Sequence, residues 1–119
     1  MSTVNGRYVI HTTAHVADAT LTVDDNGTCH TNTGASGAVQ VTLPVATPGL
    51  HFKFSVGVAQ QLRINPNGTD TISLPSTGVP GAAGKYLWAD AVGESVQIVC
   101  AVANSWAVFG YTGTWTSEA

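Results

Sequence analysis

Hydrophobic and polar residues alternate along much of this chain. Val39, Val41 and Leu43 are separated by the polar residues Gln40 and Thr42. The same alternation recurs in four further segments, which are residues 50–56, 62–64, 96–102 and 106–111. Successive side chains of a β-strand point to opposite faces, so this alternation predicts strands with one buried face. No segment has the apolar spacing of an amphipathic helix, and we therefore expect strands rather than helices.

Residues that favour tight turns separate these segments. Asp25-Asn26-Gly27 predicts a hairpin turn, because Asn and Gly tolerate a positive φ. Pro48-Gly49 predicts a type II turn before the strand at 50–56. Asn104-Ser105 predicts a tight hairpin between the last two long strands. Short strands with turns at this spacing are typical of an all-β fold.

Two segments lack the strand pattern. Residues 75–84 predict a loop, and residues 1–18 predict an extended N-terminal arm with few apolar residues of core size. Residues 19–119 are then a single domain, which is also what the length of 119 residues favours. The sequence therefore predicts an all-β fold, an antiparallel β-sandwich or a jelly-roll-like barrel with an extended N-terminal arm.

Charge is scarce in this protein. Only 9% of the residues are charged and the net charge is -3, with four basic residues in all. Nucleic-acid binding proteins carry clustered basic residues, so we expect no nucleic-acid partner. No apolar run approaches the roughly 20 residues of a membrane helix, and no secretory leader follows Met1, so we expect no membrane partner. A neutral surface favours a protein that is held in an assembly.

Enzymatic and metal chemistry find little support in the sequence. The chain has no nucleophile-elbow motif, and its acidic residues, including Asp24 and Asp25, lie in turn sequences. His11 and His15 share a face of an extended chain but would be about 13 Å apart, too far for one metal ion. We therefore expect no catalytic residues, no cofactor and no metal. Cys29 and Cys100 are expected to be reduced, buried thiols.

An ordered series of short phrases covers residues 32–115. The phrases are Thr33–Gly37, Val41–Pro44, Pro48–Leu50, Phe52–Phe54, Gln61–Gly68, Asp70–Ile72, Gly81–Tyr86, Gly93–Val99, Trp106–Val108 and Gly113–Trp115. In this order they resemble a β module of tailed-bacteriophage virion proteins, found in capsid decoration (cement) proteins and in head or tail fibre domains. The resemblance implies a trimeric, non-enzymatic protein of the virion surface.

One domain with an arm suits a decoration protein better than a fibre, which carries shaft and attachment regions as well. We therefore expect a homotrimer, made in the host cytoplasm, that binds the major capsid protein on the outside of the phage head and stabilises its contacts. The interface residues that we expect are Val4, Tyr8, Val9 and Ile10 in the arm and Tyr111 and Trp115 near the C-terminus. The alternative is a fibre module that binds a receptor or glycan on the host surface.

Overall fold

The computed structural model describes residues 2–4 and 7–119, with side chains from residue 10 onward. The described residues form short β-strands and one 3-10 helix, Val23–Asp25, and no α-helix. The strands are β1 (Ser2–Val4), β2 (Arg7–Val9), β3 (Thr12–Ala14), β4 (Ala19–Thr20), β5 (Cys29–Thr31), β6 (Val39–Thr42), β7 (His51–Ser55), β8 (Leu62–Asn65), β9 (Thr71–Ile72), β10 (Leu87–Ala89), β11 (Ser95–Val102), β12 (Ser105–Thr112) and β13 (Thr116–Ser117).

Two mixed sheets pack against each other, and the predicted all-β sandwich is confirmed. One sheet has the strand order β13-β10-β8-β6-β4, and the other has the order β3-β5-β7-β11-β12-β9. A separate hairpin is formed by β1 and β2. The strands are not all antiparallel as expected, because five of the ten described strand pairings are parallel. Alternation of apolar and polar residues specifies which face is buried, but it is the same for either strand direction.

From β3 to β8 the chain winds as a flattened coil. Successive strands of this segment lie alternately in the two sheets. From β5 onward each strand pairs in parallel with the strand two before it, so that β5 pairs with β3 and β7, and β6 pairs with β4 and β8. Parallel neighbours need a long crossover, and here the crossover is a strand of the facing sheet. The predicted hairpin turn at residues 25–27 is therefore wrong, because β4 and β5 lie in different sheets.

The remaining strands close the sandwich with antiparallel pairs, except that β9 pairs in parallel with β12. β10 pairs with β8 and β13, and β11 pairs with β7 and β12. The predicted hairpin between β11 and β12 is confirmed, and Asn104 adopts the positive φ of 67° that its tight turn requires. The predicted type II turn at Pro48-Gly49 is also confirmed, with Gly49 at a φ of 101° and the Leu50 amide donating to the Thr47 carbonyl at 3.1 Å.

The core lies between the two sheets and consists of the inward side chains that the alternation predicted. The largest fully buried apolar side chains are Trp106, Phe52, Phe54, Leu43, Leu62, Ile64, Leu87, Ile98, Val39, Val41 and Val56. Buried polar side chains join loops to this core. Asp70 accepts hydrogen bonds from the Ala46 amide at 2.9 Å and from Asn104 Nδ2 at 3.0 Å. These contacts position the β11–β12 turn on the body of the sandwich.

The second half of the predicted arm lies on the sandwich. Thr12–Ala14 pairs with Cys29–Thr31 as the edge strand of the six-stranded sheet, and its side chains are exposed. Asp18 accepts a hydrogen bond from the Gln40 amide at 2.9 Å. Residues 12–18 therefore contact the chain's own domain, although they contribute little to its core.

Candidate functional site

The predicted interface residues fall into three groups. The side chains of Val4, Tyr8 and Val9 lie outside the described part of the structure. Ile10 and Tyr111 are exposed, with 38% and 48% of their surface accessible, so both are available to a partner. Trp115, the sixth residue, is different.

Trp115 belongs to the core and is not a surface residue. Only 7% of its surface is accessible, and its indole N–H donates to the Ser95 carbonyl at 3.1 Å. The indole ring therefore lies against the start of β11. This burial favours a role in folding, and the expected role of Trp115 in an interface stays a prediction.

We expect Trp115→Ala to destabilise the monomer rather than to separate subunits. Removing a buried aromatic ring typically costs about 3–5 kcal/mol, and here the Ser95 carbonyl also loses its donor. Chemical denaturation monitored by circular dichroism measures the change in the free energy of unfolding. A variant with unchanged stability and a lower mass in sedimentation would instead restore Trp115 as an interface residue.

The β11–β12 hairpin carries three exposed apolar side chains, Val102, Phe109 and Tyr111, and we call this set the hairpin surface. Val102 and Phe109 are 69% and 67% accessible. Phe109 lies on the face opposite the buried Trp106, as simple alternation requires. It is also the extra residue of a β-bulge, because Val108 pairs with Ile98 while Gly110 already pairs with Gln97. The bulge reverses the alternation after Phe109 and so places Gly110 opposite Gln97.

The sheet that carries this hairpin presents an uncharged outer face apart from one lysine. Cys29, Lys53, Gln97 and Gly110 form one row across four strands, because their registers match from β5 to β12. A shallow groove of about 290 Å³ runs over this row. Gly110 leaves room for the groove because it has no side chain.

The open end of the coil is a second exposed feature. β3 and β4 are the edge strands of their sheets, and the residues of both strands are exposed except for the partly buried Ala19. Their sequences, Thr12–Ala14 and Ala19–Thr20, contain no charged residue. Edge strands usually carry charges that prevent pairing with another chain. No charge on β3 or β4 opposes such pairing.

A polar cavity of about 360 Å³ opens beside the 3-10 helix. It is lined by His11, Thr13, Asp24, Asp25, Asn26, Gly27 and Thr28. The carboxylate of Asp25 is committed to capping the helix, since it accepts from the Thr22 amide at 2.8 Å. Asn26 accepts from the His51 amide at 2.9 Å. The cavity wall is thus built from groups that hold the turn together.

The Trp and Tyr residues with described side chains are not gathered on one surface. Trp106 and Trp115 are buried, and Trp88 is half-buried on β10. Tyr86 stacks under the Arg63 guanidinium, whose central carbon is 4.9 Å from the ring centroid. Among these residues, only Tyr111 is exposed, with 48% of its surface accessible, and it belongs to the hairpin surface.

Histidines meet in a way that the sequence did not predict. His15 contacts His30, which is 15 positions away in the sequence, because β3 pairs with β5. His15 Nε2 lies 2.8 Å from His30 Nδ1. Within the described residues, no group of three or more His, Cys, Asp or Glu side chains is arranged to hold a metal ion. Cys29 and Cys100 are free thiols, with Cys29 half-buried and Cys100 buried. Burial raises the pKa of both thiols.

No protein-family model, no curated protein and no solved structure matches this chain. In the described part of the chain, no helix is long and apolar enough to cross a membrane.

Proposed function

We propose that this protein is a structural protein of a phage virion, which decorates the outer surface of the head and stabilises contacts of the major capsid protein. The observation that carries the proposal is the combination of exposed apolar residues on the hairpin surface with uncharged edge strands at the open end of the coil. Both features favour contact with other protein chains. The resemblance of residues 32–115 to a virion β module supports the same role.

The mechanism is multivalent attachment. The hairpin surface lies on β11 and β12, whereas the open end is formed by β3 and β4, and in the six-stranded sheet β5 and β7 separate the two. A trimer would present three copies of each surface around a junction between capsid subunits. Several weak contacts made at once give strong overall attachment, because each later contact forms at a high effective concentration.

A charge placed on the hairpin surface tests this proposal. Phe109→Asp should abolish stoichiometric binding to heads of the encoding phage that lack the protein, since a carboxylate would have to be buried without a partner. Val79→Asp is the matched control, because Val79 is also apolar and 56% accessible but does not belong to the hairpin surface. Binding is measured by sedimentation of heads followed by quantification of the bound protein, and mass in solution by light scattering.

Three results separate the candidate functions. Stoichiometric binding that Phe109→Asp abolishes and Val79→Asp preserves supports the decoration role. Binding to host cells or glycans at a few copies per virion would overturn it in favour of a fibre module. A monomer at high concentration, both free and bound to heads, would overturn the homotrimer.

A further inference from the structure

A chain of three hydrogen bonds runs from β3 into the interior of the sandwich. His15 Nε2 lies 2.8 Å from His30 Nδ1, and His30 Nε2 lies 2.6 Å from Thr28 Oγ1. Thr28 Oγ1 in turn donates to the Asp25 carbonyl at 2.6 Å. The two imidazole rings are stacked, with centroids 5.0 Å apart.

The last of these bonds determines where the hydrogen lies in each of the other two hydrogen bonds. A carbonyl oxygen only accepts, so the single hydroxyl hydrogen of Thr28 points to Asp25. Thr28 Oγ1 must then accept from His30, which places the hydrogen of the neutral His30 ring on Nε2. His30 Nδ1 is therefore an acceptor, and His15 Nε2 carries the hydrogen that it accepts.

The two histidines respond differently to a second proton. His15 can take one on Nδ1 while Nε2–H still donates to His30. His30 has only Nδ1 left, and a proton there keeps the bond only if neutral His15 moves its own hydrogen to Nδ1 and accepts at Nε2. Protonation of both rings leaves two N–H donors facing each other and therefore requires the hydrogen bond between the rings to break.

The surroundings of His30 oppose its protonation in the closed structure. Its accessible surface is 2%, and its ring lies against Phe52 and Phe54 with centroids 6.1 and 5.5 Å away. Burial lowers the pKa of His30 to about 4, with His15 acting in the same direction and Asp25 opposing it. Burial also lowers the pKa of His15, again against Asp25.

Among the side chains that the structure describes, few other charged or titratable groups face this pair. Asp25 and the exposed Asp24 come from the 3-10 helix, His11 and His15 come from the segment around β3, and His51 lies beside Gly27. β7 contributes Phe52 and Phe54 on this side. Lys53 is in register with Cys29, so its ammonium belongs to the outer face of the sheet.

We propose that the His15–His30 hydrogen bond is an acid-sensitive latch, which holds strand β3 on the six-stranded sheet at neutral pH and releases it when both rings are protonated. β3 suits this role because it is three residues long, exposed, and paired only with β5 among the described strands. Its release would also free the β1–β2 hairpin that precedes it in the chain. The latch is a property of the single chain and does not depend on the proposed function.

The direction of the pH effect follows from proton linkage. Open β3 exposes His30, whose pKa then returns toward 6.5, so the open form binds more protons than the closed form between pH 6.5 and 4. The closed form is thus fully favoured above pH 6.5 and is progressively lost as the pH falls toward 4. One linked proton changes the opening equilibrium by at most about tenfold per pH unit.

Amide hydrogen exchange followed by NMR tests the latch in the intact protein. The reporters are two backbone amides. The His15 amide donates to the Thr31 carbonyl at 2.8 Å, and the Cys29 amide donates to the His11 carbonyl at 2.9 Å. After correction for the intrinsic rate, their opening should rise by up to about tenfold per pH unit between 6.5 and 4. They should exchange faster than the Leu43 amide, which is bonded to Asn65 in the other sheet. Exchange at the rate of Leu43 would overturn the latch, because release would then be global unfolding.

Two substitutions assign the effect to these rings. His30→Gln keeps a donor toward Thr28 and an acceptor toward His15 but cannot titrate, so the pH dependence of β3 opening should flatten. His51→Gln is the matched control and should retain it. An unchanged pH dependence in His30→Gln would overturn the proposal.

A partly exposed position provides a second variant in case His30→Gln does not fold. His15→Ala should raise β3 opening at pH 7 by about threefold to tenfold, the value of one hydrogen bond. Unchanged protection of Cys29 in this variant would contradict the latch. Nitrogen chemical shifts of the wild type give an independent check, since a His30 ring with its hydrogen on Nδ1 at neutral pH would also contradict it.

Discussion

Phe52→Ala should remove about 3–5 kcal/mol from the free energy of unfolding, as is typical for a large aromatic residue deleted from a packed core. The Phe52 side chain is completely buried, and its ring lies 5.7 Å from that of Trp106 and 6.1 Å from that of His30. Its loss would leave a cavity in the core, and the hydrogen-bonded pairing of β7 with β11 limits how far the sheet can collapse into it. Small domains have only about 5–15 kcal/mol of stability in total, so much of it would be lost.

Phe109→Ala is the control for this prediction. It removes the same ring from the same sheet, but Phe109 is 67% accessible, and we expect a change of about 0.5 kcal/mol or less. Chemical denaturation followed by tryptophan fluorescence measures both variants. A loss below about 1 kcal/mol for Phe52→Ala would contradict the described packing of the core.

Asn32→Ala should cost about 3 kcal/mol, although it removes a polar side chain. Asn32 is completely buried and holds the loop after β7. Its Oδ1 accepts from the amides of Gly57 at 2.8 Å and Val58 at 3.2 Å, and its Nδ2 donates to the Gln60 carbonyl at 3.0 Å. Without Asn32 these backbone groups lose their partners, and each buried group left unpaired costs about 1–3 kcal/mol.

Asn67→Ala provides the matched control, because Asn67 is exposed in the turn after β8. Denaturation curves of both variants measure the two changes in the free energy of unfolding. Equal small losses for Asn32→Ala and Asn67→Ala would contradict the role of Asn32 in holding this loop.

Sequence reasoning identified only part of the candidate surface. Tyr111 and Ile10 are exposed as expected, but Trp115 is buried and Phe109 was not singled out. Trp115 lies two residues after Gly113, in a segment without a strand pattern. Its indole N–H nevertheless donates to the Ser95 carbonyl. Phe109 lies on the face opposite Trp106, as the alternation of residues 106–111 predicts, and it is exposed there. The burial of Trp115 has no counterpart in the local pattern and could not be predicted from it.

The meeting of His15 and His30 has the same explanation. The two residues are far apart in the sequence and come together only because β3 pairs in parallel with β5. Asn32 is similar, since its three backbone partners belong to a loop more than twenty positions away. Contacts of this kind depend on the strand order, which the sequence alone leaves open.

The sequence by itself determined which segments are strands with one buried face and where the chain turns most sharply. Val39, Val41 and Leu43 are buried as their alternation requires, because strand geometry sends every second side chain to the same face. Gly49 marks its turn because a positive φ is costly for other residues. Only the tertiary structure decided the direction of pairing and the coiled path from β3 to β8. Alternation is identical in parallel and antiparallel strands, and strands of two or three residues, such as β4 and β13, are too short to show it.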